Sequence, residues 1–282
     1  MKLLDRVTIV GLGLIGGSLG MALRRKRLAR EVVGVSRRTA TIAQAKRRGA
    51  IDRGTTSLEA GVRDADIVVL ATPVDRIVPL AKRAARAMRR GAIVTDVGST
   101  KGEIVRALEG RLPSGVVFVG AHPLAGSEQR GLAAARPDLF DGSRCILTAT
   151  RRTSRRALRI IRRLWQPLVR RVLVMDLPTH DRLLAAVSHV PHLVAFALVH
   201  AATPSELRMV PPSFLEATRV AKSDPDLWDD ILLSNRGAIR SAMDRFDISW
   251  RTFRAALTRG NHRALAHLLR RASIRRRSLD AC

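Results

Sequence analysis

Three glycines, Gly11-x-Gly13-x-x-Gly16, stand directly after an apolar run at residues 6–10 and directly before a helical run through Leu19, Met21, Ala22 and Leu23. Strand, Gly-rich turn and helix in that order form a cradle for a dinucleotide pyrophosphate. Gly11 permits the tight turn, Gly13 lets the backbone approach the phosphates, and Gly16 lets helix and strand pack closely. The helix N-terminus adds free N–H groups and the positive end of a dipole. Leu14 and Ile15 belong to the same loop, and Thr72-Pro73 ends another strand at what should be the same edge. About 20 residues past the glycines a carboxylate would accept from a ribose 2′-hydroxyl. Ser36-Arg37-Arg38 stands there instead. Two guanidiniums beside a hydroxyl suit a 2′-phosphate, so NADP is expected ahead of NAD.

Three further segments set polar groups among small residues: Asp96-Val97-Gly98-Ser99-Thr100-Lys101-Gly102, His122-Pro123-Leu124-Ala125-Gly126-Ser127-Glu128 and Ser188-His189-Val190-Pro191-His192. The first two each follow an expected strand, at the carboxyl edge where open α/β sheets bind ligands. Lys101 could hold a phosphate or start a helix, and Asp96 is placed to cap its loop. Glu128 and Lys222 are candidates for a gate over the cleft.

Apolar strand-like runs at residues 32–35, 66–71, 92–96, 116–119, 144–148 and 169–175 position these segments, with helical patterns between several of them. Alternation of this kind implies an α/β Rossmann-type domain with a mostly parallel sheet. A loop is expected over residues 122–131. From residue 179 onward apolar side chains recur only at helical spacing, through Leu183, Leu184, Val187, Val190, Leu193 and Val194 and again over residues 231–246 and 257–269. The expected division is residues 1–177, a dinucleotide-binding domain, and residues 178–282, an all-α domain for substrate binding and dimerisation. The basic run at residues 270–277 is expected to fray.

In 282 residues, 51 Lys plus Arg oppose 24 Asp plus Glu, for a formal net charge of +27, while 46% hydrophobic content excludes a disordered basic tail protein. Only six of the cations are Lys; the arginines are spread along the whole chain, as a solvated surface would have them. A positive field attracts anions of every kind, nucleic acid included. With no Tyr, three Trp and six Phe, however, few rings are left for stacking bases. Cys145 and Cys282 form no CxxC pair, so neither a disulfide framework nor a Cys-based zinc site is expected, and the reading is a reducing, cytoplasmic compartment. No apolar run is expected to reach the roughly 18 residues that span a bilayer.

Taken together, the glycine motif, the three segments and Thr218-Arg219-Val220-Ala221-Lys222-Ser223-Asp224-Pro225-Asp226-Leu227-Trp228 resemble the prephenate and arogenate dehydrogenase family of tyrosine biosynthesis. The resemblance runs from about Val7 to about Asn235. It implies a Rossmann-type domain, a helical domain that also forms a homodimer, and an active site between them. The implied reaction is oxidative decarboxylation of prephenate to 4-hydroxyphenylpyruvate, or of arogenate to tyrosine, with a hydride passed to NAD(P). By the same resemblance His122 accepts a hydrogen bond from the substrate ring hydroxyl, and Ser99 contacts that hydroxyl and the nicotinamide. Arg219 pairs with a substrate carboxylate, while His189, His192 and Trp228 line the pocket, Trp228 being equally readable as plain core. Histidines 180, 200, 262 and 267 read as background. The competing readings are a β-hydroxyacid dehydrogenase on the same plan, and a non-enzymatic redox sensor or nucleic-acid binder.

Overall fold

The computed structural model describes residues 4–113 and 115–279; Cys282 lies outside them. The described residues form one eight-stranded sheet from β1 (Leu4–Val10), β2 (Ala29–Val35), β3 (Arg53–Thr55), β4 (Ile67–Leu70), β5 (Ile93–Asp96), β6 (Val117–Pro123), β7 (Arg144–Thr148) and β8 (Arg171–Met175). Their spatial order is β3-β2-β1-β4-β5-β6-β7-β8, and every neighbouring pair is parallel except β6 with β7.

Helices cover both faces: α1 (Leu14–Arg25), α2 (Thr39–Arg47) and α6 (Arg155–Trp165) on one, α3 (Leu58–Val62), α4 (Val74–Ala87) and α5 (Gly102–Leu108) on the other. A strand buried on both sides carries an unbroken apolar run, as β4 does. Ile67 and Val69 enter the core that holds Trp165, and Val68 and Leu70 enter the core on the opposite face. The buried hydroxyls of Thr8 and Thr95 donate to the carbonyls of Gly61 and Val119, so neither is left unsatisfied inside the sheet.

The strand order reverses between β1 and β4, which opens a crevice beyond their carboxyl ends. Gly11 turns the chain there at φ +98°, and a Cβ at that position would stand 2.3 Å from the Ala71 carbonyl oxygen.

Beyond the sheet the chain is helical: α7 (Leu177–Leu184), a π turn (Ala185–His189), α8 (Val190–Ala201), α9 (Pro204–Leu207), α10 (Pro212–Ala217), a 3-10 turn (Arg219–Lys222), α11 (Pro225–Ser234), α12 (Arg236–Thr258) and α13 (His262–Arg277). Asp176 caps α7 by accepting from the Thr179 N–H at 2.8 Å. The π turn precedes Pro191, which has no N–H to give the helix, so the irregularity falls where the regular ladder is already interrupted. Trp228 and Ile231 of α11 complete the core under α4, and this joins the helices to the sheet.

An α/β unit followed by an all-α region is the expected fold class. Several details differ. Strand β3, Arg-Gly-Thr, has no apolar signature, and α6 is an Arg-rich helix read past between two strands. Residues 270–277 continue α13 instead of fraying, because Asn261 caps its N-terminus and the basic side chains favour its C-terminal dipole. The stretch Leu177–Ala201, 25 residues, is long and apolar enough by length and composition to cross a membrane, contrary to expectation. The histidines inside it obscured that run. It is the helix that carries His180, Asp181 and His189, all three engaged with groups of the protein interior.

Gly11→Ala should destabilise the fold by about 1–3 kcal/mol or more, since it combines a left-handed backbone with a clash against Ala71. Urea denaturation checks this, with Gly142→Ala, which has φ +75° but open space around it, as the milder control.

Candidate active site

His122 is not in a loop: pairing with β7 carries β6 on to Pro123, with His122 opposite Ile146. Its ring is buried, and Nδ1 lies 3.0 Å from His180 Nε2. On the far side of that ring, His180 Nδ1 lies 2.8 Å from Asp181 Oδ1. Asp181 also accepts from the Lys101 N–H at 3.0 Å and the Gly102 N–H at 2.8 Å, so α7 is bonded to the segment that leads from β5 into α5. Burial, followed by the neighbouring His180, Lys101 and His189, holds the His122 imidazole well below its ordinary pKa of 6.5, and the ring is neutral at pH 7. Burial lowers His180 as well, against the opposing bond to Asp181. Burial pushes the Asp181 carboxyl up, but the bonds from His180 and the two amides outweigh it and keep it ionised.

Lys101 starts a helix, as the N-cap of α5, with its side chain turned into the interior. It has no solvent exposure, and Nζ donates to Asp96 Oδ2 at 2.6 Å, to the Gly98 carbonyl at 2.6 Å and to the Thr100 carbonyl at 3.2 Å. Asp96 accepts from the Gly98 N–H at 2.9 Å and, through its other oxygen, from the Ala121 N–H at 3.3 Å. The loop carrying Ser99 is therefore closed over an internal ion pair and fastened to the strand that carries His122. Ser99 is half-buried on that loop.

The helices supply the opposite wall. His192 stacks on Trp228 at 3.6 Å between centroids, and His189 meets the same indole edge-on at 6.0 Å. Trp228 is part of the core beside α4, and its indole also packs against both histidines. Asn235 Nδ2 donates to the Asp181 carbonyl at 2.9 Å and lies 3.2 Å from His189 Nδ1. His189 Nε2 is buried without a hydrogen-bond partner, and burial lowers this ring to a pKa of about 4. Arg219 donates to Glu128 Oε2 at 2.9 Å, and Arg130 pairs with Asp224 at 2.8 Å, so two ion pairs tie the loop after β6 to the helical side. Glu128 meets Arg219 rather than the expected Lys222.

In the crevice, a Cβ on Gly13 would meet nothing within 4 Å, and its φ of −88° is open to any residue. The protein itself places no demand for glycine there; room for a ligand does. Thr72 Oγ1 is buried without a partner close by, and Pro73 leads into α4. Leu14 and Ile15 are half-buried in the first turn of α1, and Gly16 packs against the Gly11 carbonyl. Ser36 directly follows β2; Arg37 and Arg38 come next, exposed and without an ion pair among the described residues. These residues fit a dinucleotide.

His180, Asp181 and Asn235 escaped the sequence reading. The available signal was a His-Asp dipeptide in the first helix after the last strand, masked by the other histidines.

Residues 19–174 match the family model described as prephenate dehydrogenase, nucleotide-binding domain, and residues 177–271 match prephenate dehydrogenase, dimerization domain. The chain is 36% identical to a prephenate dehydrogenase of Bacillus subtilis, covering 86% of this chain and 67% of that protein. It is 32% identical to a cyclohexadienyl dehydrogenase of Zymomonas mobilis, covering 91% and 90%. The crystal structure of prephenate dehydrogenase from Aquifex aeolicus in complex with hydroxyphenyl propionate and NAD+ superposes with a TM-score of 0.91 at 35% identity over 99% of both chains.

Lys101→Met, which leaves Asp96 buried without its counter-ion, is expected to cost about 3–5 kcal/mol of unfolding free energy. Adding Asp96→Asn should return part of it, and urea denaturation of the two variants measures both.

Proposed function

The chain belongs to the prephenate dehydrogenase family of NAD(P)-dependent oxidoreductases, and from that premise we propose that it oxidatively decarboxylates prephenate to 4-hydroxyphenylpyruvate, with NADP+ preferred over NAD+. The observation that carries this reading is the buried, neutral His122 at the carboxyl edge of the sheet, between the dinucleotide crevice and the helical wall. When bound, the nicotinamide supplies the hydride acceptor.

His122 accepts the proton of the ring hydroxyl while the hydride leaves the same carbon, so the carbon becomes a carbonyl without building up positive charge. Loss of the ring carboxylate as CO₂ then aromatises the ring and makes the step irreversible. Ser99 holds the hydroxyl in line. Arg219 takes a substrate carboxylate in place of Glu128, exchanging one charge-assisted pair for another. His189, His192 and Trp228 bound the ring.

Support for NADP+ comes from Arg37 and Arg38 just past the tip of β2, which have no ion pair among the described residues, in the sequence position where a carboxylate would repel a 2′-phosphate. A homodimer accounts for the exposed Leu183, Val187, Leu198, Phe246 and Trp250 of the helical region, residues that water alone would leave at a cost. The division at residues 177 and 178 belongs to the same reading, with the active site between the two units.

Initial rates of NADPH and NADH formation with prephenate and arogenate in parallel test this reading. Turnover of prephenate with NADP+ is expected, with His122→Asn lowering kcat by about 10²–10⁴-fold. Preference for NAD+ would overturn the Arg37 and Arg38 reading, preference for arogenate the substrate, and no turnover with either substrate the reaction itself.

A further inference from the structure

We propose that Asp181 is the positioning residue that fixes which nitrogen of each active-site histidine carries the proton, so that His122 presents a bare acceptor to the cleft and His189 a donor. The inference rests on the reaction proposed above for its consequence, but for its content on hydrogen-bond geometry together with an ionised Asp181 and a neutral His180.

An ionised carboxylate only accepts hydrogen bonds. At 2.8 Å from Asp181 Oδ1, His180 Nδ1 must therefore carry a hydrogen. His180 is held neutral by burial, so its second nitrogen, Nε2, is a lone-pair acceptor. At 3.0 Å from that lone pair, His122 Nδ1 must be the donor. The remaining nitrogen of His122, Nε2, is then unprotonated, the state required to take a hydroxyl proton. Reversing any bond of this chain would set two hydrogens or two lone pairs against each other.

The carboxylate cannot rotate away from this task. Its two oxygens are held by the Lys101 and Gly102 N–H groups, at the start of a helix rooted in the sheet.

The main-chain carbonyl of Asp181 acts in the same way on the second histidine. It accepts from Asn235 Nδ2 at 2.9 Å, which fixes the amide with its NH₂ group inward. The second hydrogen of that NH₂ faces His189 Nδ1 at 3.2 Å, so Nδ1 is the acceptor and the proton of His189 sits on Nε2. That Nε2 is buried without a hydrogen-bond partner among the described residues. A donor with nothing to donate to, in a wall that substrate faces, calls for a substrate oxygen. Without the Asp181 carboxylate His180 and His122 would be free to take either tautomer, whereas His189 stays set by the main-chain carbonyl, which any residue at position 181 supplies.

The direct test is ¹⁵N NMR of the protein labelled in its histidines, without substrate, at neutral pH. His122 is identified by the signals lost in His122→Asn, and His189 by those lost in His189→Asn. Hydrogen on Nδ1 of His122 and on Nε2 of His189 is expected. Hydrogen on Nε2 of His122, or a mixture, overturns the proposal with no appeal to any variant's activity.

Kinetics supply the second arm. Asp181→Asn is expected to lower kcat by about 10²-fold, with KM for the substrate within about threefold. His180→Gln, whose amide oxygen can still accept from His122, should retain at least tenfold more kcat than His180→Phe, which cannot. Equal kcat in the two position-180 variants, or Asp181→Asn within twofold of wild type, overturns it. Because the spectrum needs no turnover, failure of the prephenate assay and failure of the tautomer assignment are separately visible.

Discussion

The site depends on one buried ion pair. Lys101 and Asp96, neither exposed to solvent, close the loop after β5 on itself, and Asp96 also holds the backbone of Ala121 beside His122. Two charges taken out of water are costly unless each is fully satisfied. Here the ammonium has three oxygen partners and the carboxylate three donors, counting Lys101 itself. The pair thereby becomes a rigid frame instead of a liability. Its position is passed on by the Lys101 and Gly102 amides to Asp181, and from there to the histidines.

This frame is also what couples sheet to helices. The link at its centre is Asp181, reinforced by the hydroxyls of Thr100 and Ser234 at 2.9 Å. At the rim stand the exposed pairs Glu128 with Arg219 and Arg130 with Asp224. Exposed ion pairs contribute little to stability, about 0–1 kcal/mol each. The rim contacts are thus cheap to open, whereas the central ones are not.

Legibility in the sequence follows the same physics. The glycine loop could be read because its demands are local: a left-handed turn at Gly11 and ligand room at Gly13 are properties of single positions. The segment around Ser99 and that around His122 stood out because polar side chains at the end of a strand have few structural uses. His180 did not, since its meaning comes from His122, 58 positions away in the chain, and no short-range pattern announces that meeting. Lys101 was ambiguous for a related reason: the sequence left a phosphate contact and a helix start open, and its role as internal counter-ion to Asp96 appears only in the three-dimensional closure of its own loop. Strand β3 and helix α6 were missed where pairing to a neighbour, or an apolar stripe crowded by arginines, overrode the local signal.

This frame keeps His122 dry and uncharged. The most direct test is the pH profile of kcat/KM with prephenate. A lowered pKa means that the base form persists to lower pH, so the rate should stay flat as pH falls through 6.5 and drop only well below it. An acid limb centred at or above 6.5, the behaviour of an ordinary solvated imidazole, would contradict it.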